Sequence, residues 1–382
     1  MPHLESIPFT LMRGGTSKGI FLREEDVPRD RGDLTAMILD LMGSPDKRQI
    51  DGLGGSDKLT SKVAIIGKPV RPDSDLTYLF GQVGITAAEV DYQPNCGNLS
   101  SAVAMYAIQE RLVEPVEGNT RVRIHNLNTN KMIFADVRVK AGVPLVKGDL
   151  AIGGVPGTGS PIGLDFSHSA GAATGNLLPF GEHLSVLDVP GYGSLEVSVI
   201  DCANLVIFVA AASLGMQGTE APMEIDGNQQ LVARINAIRQ AVAYRVGLRD
   251  YWDSRKAPAS PFLVAVSQST SYPTFTTGSM VEASSIDLVC RSFATGTTHQ
   301  AMPVTVTSCT GAACRIEGSV ANRMLSARAR ERDLIEIGHP SGTIAVESRV
   351  QATASGPEVT LARIFRTARR LAEGRAFLKS AQ

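Results

Sequence analysis

The chain has 382 residues, with 37 Lys and Arg set against 38 Asp and Glu, and 43% of its residues are hydrophobic. That length exceeds what one core comfortably serves and favours two domains, while the balanced charge, without a basic block or an aromatic-plus-Arg cluster, argues against a nucleic-acid partner. Five scattered cysteines, at 96, 202, 290, 309 and 314, include no C-x-x-C pair, which argues against a disulfide framework or a zinc site and fits a reducing, cytoplasmic setting.

The N-terminus, MPHLESIPFTLMRGG, has neither the charged start nor the apolar core of a secretion signal. Its apolar PFTL reads as a strand and leads into MRGGTSKG at 12–19, where a Gly-Gly pair, two hydroxyls and two cations fall within eight residues. The Gly-Lys-Ser/Thr ending of a phosphate loop is missing, so the stretch reads either as a carboxylate cradle using Thr16, Ser17 and Lys18 or as a plain Gly-rich hairpin. A helix is predicted over 34–43. GLGGSD, within 48–66, resembles a dinucleotide fingerprint only superficially, since it lacks the strand before and the helix after. Lys62 stands between the polar LTS and the apolar VAII. A lysine that enters a core loses solvation and can serve as a base, whereas one at an exposed strand end stays a solvated cation.

QPNCGNLS at 93–100 sets Cys96 at the head of a predicted helix over 98–112. A thiol there sits at the positive end of the helix dipole among free N–H groups, which favour thiolate and bound carboxylates; the alternative is a small, inert, buried Cys. Strands follow at 120–127 and 131–139, then a Gly- and Pro-rich passage over 152–180 that we expect to join the domains, 1–180 and 181–382, with the last strand able to return to the first. The second half offers a strand at 193–202, an apolar run at 205–216 too short to span a bilayer, helices at 228–247 and 311–324, and a strand at 340–350. SCTGAACRI at 308–316 echoes NCGNLSSAV at 95–103 and predicts a second helix start near Ser308 or Cys309. His339 and Ser341, in IGHPSGT, form a polar turn; Arg366 and Arg369, in FRTARRL, can serve a cleft or a surface.

In this order MRGGTSKG, SPDKRQIDGLGGSDKLTSKVAII, NCGNLSSAV, HPSGT and RTARRL closely resemble the PrpF family of 2-methylaconitate cis-trans isomerases, which includes 4-oxalomesaconate tautomerases and 3-methylitaconate Δ-isomerases. The resemblance spans nearly the whole chain. It implies an α/β (α+β) diaminopimelate epimerase-like fold, two similar domains whose curved mixed sheets each wrap a central helix. It also implies proton transfer, without metal or organic cofactor, on a small unsaturated di- or tricarboxylate, with 4-oxalomesaconate or 2-methylaconitate as the first expectation and 3-methylitaconate or aconitate as alternatives. Lys62 and Cys96 fall on the family's catalytic Lys and Cys. The amino-acid epimerases of this fold use two cysteines, and TSCTGA departs from that pattern at the second helix start.

Moving a double bond one position needs a proton removed next to the alkene and returned at an allylic carbon, through a dienolate whose charge spreads onto a carboxylate or keto oxygen. Lys62 is expected as base and Cys96 as partner acid or electrostatic group. The amides of Gly97 and Asn98, with Thr16, Ser17, Lys18 and Asn95, are expected to hold substrate carboxylates, as are Ser308, Thr310, Gly311, His339 and Ser341 from the second half. Two-base amino-acid epimerisation and non-catalytic carboxylate binding stand as rival readings. The oligomeric state is left open, a homo-oligomer included.

Overall fold

The computed structural model of the chain describes residues 6–379, which pack as two compact units. Unit 1 is built from residues up to 164 together with those from 365 onward, and unit 2 from residues 165–364.

Unit 1 begins with a tight hairpin, β1 (Ser6–Gly14) and β2 (Ser17–Arg23), followed by α1 (Arg31–Met42), β3 (Lys62–Gly67), β4 (Leu76–Val83), α2 (Gly97–Gln109), β5 (Gly118–Asn126) and β6 (Lys131–Lys140). Pairing along the sheet is antiparallel for β1–β2, parallel for β2–β3, antiparallel for β3–β4, parallel for β4–β5 and antiparallel for β5–β6, and the C-terminal strand Ala368–Phe377 runs antiparallel to β1. Strand alternation divides the two faces. Ile20, Leu22, Val63, Ile65, Leu79 and Val83 pack with Leu34, Ile38 and Leu41 of α1. Helix α1 starts where Asp30 accepts hydrogen bonds from the Gly32 and Asp33 amides and stops at Gly43, at φ 69°. The other face takes α2, which is almost wholly buried and touches β1, β2, β3, β5, β6 and the C-terminal strand. A helix can be wrapped this closely because its sequence, GNLSSAVAMYAIQ, is rich in small side chains.

Unit 2 repeats the plan. After β7 (Ser185–Val189) come β8 (Gly193–Cys202), β9 (Asn204–Ala210), α3 (Gln229–Arg245), β10 (Phe262–Gln268), β11 (Leu288–Ala294), α4 (Val304–Arg315), β12 (Leu334–His339) and β13 (Gly342–Thr353). From β8 to β13 the pairing is again antiparallel, parallel, antiparallel, parallel, antiparallel. Each unit is thus a curved mixed sheet around one buried helix, α2 or α4. The repeat legible as a short echo in the sequence is real at the level of connectivity.

Its register is not the expected one. The second helix begins at Val304, not near Ser308 or Cys309, and Pro303 occupies the position that Cys96 holds in unit 1. The β-branched run VTVT at 304–307 has weak helix propensity, and burial among β8, β9 and β13 overrides it. The predicted helix over 311–324 is in fact the end of α4 and a separate short helix, Val320–Met324.

Asp287 anchors the loop before β11: fully buried, it accepts hydrogen bonds from Ser326 Oγ (2.6 Å), Arg328 Nε (2.7 Å), Arg332 Nη2 (2.8 Å) and the Glu336 amide (2.8 Å). Burial pushes the carboxyl up, but the bonds from Glu336, Ser326, Arg328 and Arg332 outweigh it and hold the group below the usual carboxylate range. Asp287→Asn should cost about 2–3 kcal/mol at pH 7, less than a fully buried pair because both arginines are partly exposed. Since the folded carboxyl is the stronger acid, this stabilisation is complete above about pH 4 and is lost as pH falls through the folded pKa. Urea unfolding of both proteins at pH 7 and near pH 3 should show the gap shrinking in acid.

Candidate active site

The face of the unit 1 sheet turned to α2 carries Lys62. Alternation along β3 sends Val63 and Ile65 to α1 and Lys62 to the opposite side, and the β3–β4 register sets Lys62 against Gln82. Lys62 Nζ donates to Gln82 Oε1 at 2.5 Å and lies 5.0 Å from the centre of the Phe80 ring. Gln82 is itself fixed, because its Nε2 donates to the carbonyls of Lys58 and Ser61, both at 3.1 Å. Only 7% of Lys62 is exposed, so it is not a solvated strand-end cation. Gly19 joins this strand to the helix: a Cβ there would lie 2.8 Å from Lys62 O and 3.0 Å from Leu99 Cδ1, so the backbone at Lys62 and the first turn of α2 both press on β2 at this residue.

Cys96 is the N-cap of α2, in extended conformation, and its side chain makes no capping hydrogen bond. The first intrahelical bond runs from the Ser100 amide to Cys96 O, so the amides of Gly97, Asn98 and Leu99 are the orphan donors of the helix start and have no acceptor among the described residues. Tyr78 lies close by on the same sheet face, its hydroxyl buried without a partner among the described residues; burial, with the Cys96 thiol as the second cause, pushes the phenol well up. The loop leading into Cys96 is tied to the sheet through Asn128, whose Nδ2 donates to Phe80 O (2.8 Å) and Tyr92 O (2.6 Å).

MRGGTSKG forms the β1–β2 hairpin, turning at Gly15 and Thr16. Its glycines let the helix start seat on the turn: a Cβ on Gly14 would lie 2.3 Å from Asn98 O, and one on Gly15, which has φ +51°, 2.1 Å from Asn98 Oδ1. Asn98 Nδ2 donates to Thr16 Oγ1 at 3.0 Å. Ser17 and Asn95 are buried, and Ser17 Oγ and Asn95 Nδ2 have no partner among the described residues. Thr16, Ser17, Asn95, Cys96, Gly97, Asn98 and Lys62 therefore gather around one helix start.

Lys18 does not join them. Gly14 pairs with Ser17 and Met12 with Gly19 on the α2 side, whereas Arg13 pairs with Lys18, so strand alternation sets Lys18 on the opposite face from Ser17. In unit 2, Ser308, Thr310 and Gly311 are not helix-start donors either. They are buried inside α4, where Ser308 Oγ donates to Ala362 O (3.4 Å), Thr310 Oγ1 donates to Val306 O (2.8 Å) and Gly311 packs on Val346 and Ser348. His339 and Ser341 do share a turn, with the Ser341 amide donating to His339 Nδ1 at 3.2 Å. Sequence reading missed Gln82, Tyr78 and Asn128. The i, i+2, i+4 spacing of Tyr78, Phe80 and Gln82 along YLFGQ was the available signal, since it sets all three on one face.

A separate groove of about 1050 Å³ in unit 1, lined by Arg29, Arg31, Lys68 and Arg111 among others, contains neither Lys62 nor Cys96. Among the described residues, no three His, Cys, Asp or Glu side chains converge as a metal-ligand set, and no helix is long and apolar enough to cross a membrane.

The sequence profile of the family described as PrpF protein matches residues 4–379. The chain belongs to the PrpF family. It is 45% identical to 3-methylitaconate isomerase from Eubacterium barkeri, over 98% of each chain, and 37% identical to (4E)-oxalomesaconate Delta-isomerase from Novosphingobium sp. (strain KA1), again over 98% of each. Among solved structures it resembles methylitaconate-delta-isomerase at a TM-score of 0.85 and 44% identity, covering 98% of this chain and 96% of that one. A hydroxyproline epimerase from Agrobacterium vitis, at 10% identity and a TM-score of 0.55 over 98% and 93% of the two chains, shares the fold. The expected diaminopimelate epimerase-like class is thereby shown. Within that fold this PrpF chain has Pro303 at its second helix start and no second thiol there.

All five cysteines are free, and 8% of Cys96 is exposed while Cys202, Cys290, Cys309 and Cys314 are fully enclosed. Burial pushes the Cys202 and Cys314 thiols up to about 12 and raises Cys290 and Cys309 as well. Brief iodoacetamide treatment of the native PrpF protein should therefore label Cys96 first, as read by peptide mass spectrometry. First labelling at any of the other four would contradict this arrangement.

Proposed function

We propose that this PrpF-family chain is an isomerase that moves a proton and a double bond within a small unsaturated di- or tricarboxylate. Lys62 removes the proton and Cys96 acts as its partner acid or as an electrostatic support. The observation that carries this reading is the placement of Lys62, buried and held by Gln82, on the sheet face that packs against the helix start at Cys96. Gln82 Oε1, hydrogen-bonded to Nζ, and the Phe80 ring, 5.0 Å from it, fix the position of the amine that takes the proton. Charge arriving on the substrate carboxylate meets the free amides of the α2 start together with Ser17 Oγ and Asn95 Nδ2, fixed donors of the kind whose removal costs about 3 kcal/mol of barrier.

Identity to the 3-methylitaconate isomerase, at 45%, exceeds that to the oxalomesaconate enzyme, at 37%. The substrate we assign first is therefore 3-methylitaconate, with 4-oxalomesaconate and 2-methylaconitate next. The rival two-base epimerisation is disfavoured by Pro303, which leaves α4 without a thiol at its start. Proton NMR in deuterated water tests the reading: the protein should exchange allylic hydrogens of one of these acids and interconvert its isomers. Exchange only at the α-carbon of an amino acid would establish the epimerase, and no exchange with any of them would leave a binding protein.

A further inference from the structure

Arg366 is a buried cation with no anionic partner among the described residues. Only 7% of it is exposed, yet among the described residues it has no carboxylate partner, and its hydrogen bonds are a 3.3 Å contact from Nε to Asn98 Oδ1 and a 2.9 Å bond from Nη1 to the carbonyl of its own neighbour, Phe365. Two other deeply buried arginines show what structural use looks like. Arg239 donates to Pro261 O (2.8 Å), Pro258 O (2.6 Å) and Asn236 Oδ1 (3.0 Å) and stacks on Trp252; Arg291 donates to Glu220 O (2.7 Å) and Cys290 O (3.0 Å) and lies over Tyr272. Among the described residues Arg366 lies over no such ring, and its Nη2 has no acceptor. Burial pulls its pKa down to about 10, which leaves it charged at neutral pH.

Its place in unit 1 explains why such a group is kept. Asn98 is the second residue of α2, and a Cβ on Gly15 would lie 3.1 Å from Arg366 Cδ as well as 2.1 Å from Asn98 Oδ1, so guanidinium, hairpin turn and helix start form one cluster. Within that cluster Ser17 Oγ, on a residue 1% exposed, and Asn95 Nδ2 are also buried without partners. Unsatisfied buried donors are rare in folded proteins, and an uncompensated buried cation is rarer still. We propose that Arg366 is a specificity-determining residue that takes one carboxylate of the substrate through its planar fork, with Ser17 and Asn95 donating beside it. The inference rests on the polycarboxylate reading above and adds the residue that counts the substrate's charges.

Calorimetric binding of the saturated, unreactive propane-1,2,3-tricarboxylate, with melting curves taken with and without it, tests the assignment. Arg366→Gln should bind about 10–100-fold more weakly, the size expected for a lost charge-assisted pair. Its ligand-free melting temperature should be equal to or higher than wild type, because an unpaired buried charge is gone, and the ligand-induced rise at a given ligand concentration should shrink. Arg366→Lys, which keeps the charge without the fork, should fall between the two and guards against a Gln variant that does not fold. Wild-type affinity in either variant would overturn the assignment, as would a lower ligand-free melting temperature accompanied by a retained ligand-induced rise. If wild type isomerises an unsaturated acid while Arg366→Gln does so with unchanged KM, only the role of Arg366 fails. If wild type isomerises none of them, the functional reading itself fails.

Discussion

Lys62→Ala is expected to lower kcat by about 10²–10⁴-fold, or roughly 3–5 kcal/mol of barrier, while polycarboxylate binding survives. The separation follows from where the groups sit. Lys62 belongs to β3, whereas the helix-start amides, Ser17, Asn95 and Arg366 belong to other segments and keep their own supports when the amine is removed. Gln82 also stays in place through its bonds to the Lys58 and Ser61 carbonyls. Lys62→Arg sharpens the test. A guanidinium preserves the positive charge over Phe80 but cannot release and recover a proton near neutral pH, so it should rescue little. Steady-state kinetics on the acid that shows allylic exchange would decide the point. Near wild-type kcat in Lys62→Arg would show that charge alone suffices and would move the base role to Cys96.

Cys96→Ser should make the protein more stable and much less active. Cys96 occupies the N-cap of α2 without making a capping bond, and Ser is among the residues that cap best, so the substitution should add about 1 kcal/mol. For a unit of this size that raises the melting temperature by about 2–4 °C. Activity should move the other way, by about 10²-fold, because a hydroxyl gives up its proton far less readily than a thiol and forms no comparable anion at the helix start. A residue conserving structure would show both quantities falling together; opposite signs are the mark of a position held for chemistry at a cost in stability. The double variant Lys62→Ala with Cys96→Ser should lose little more than Lys62→Ala alone, since groups acting as a unit are not additive. Full additivity, or undiminished kcat in Cys96→Ser, would remove Cys96 from the proton path.

Much of this was legible in local sequence. The polar-to-apolar step at LTSKVAII set Lys62 at the entry of a strand, and NCGN followed by small apolar residues set Cys96 at a helix start, because solvation and helix capping act over a few neighbouring residues. The glycines of MRGG likewise announced a tight turn, and the structure seats the α2 start against it. The choice between Ser17 and Lys18 was not local. Both lie on β2, and only packing of that strand against α2 on one face and α1 on the other decides which side chain faces the α2 start. The start of α4 was likewise decided by burial, which holds VTVT as helix although its β-branched residues favour a strand. Gln82 reaches Lys62 only through the β3–β4 register, and Arg366 reaches Asn98 across 268 residues of chain, through the return of the C-terminal segment to unit 1. The sequence by itself determined which chemical groups the protein possesses and the local conformations that present them. The tertiary structure alone decided which of them share a site, because strand register and long-range pairing depend on how whole faces bury against one another and not on any short stretch of residues.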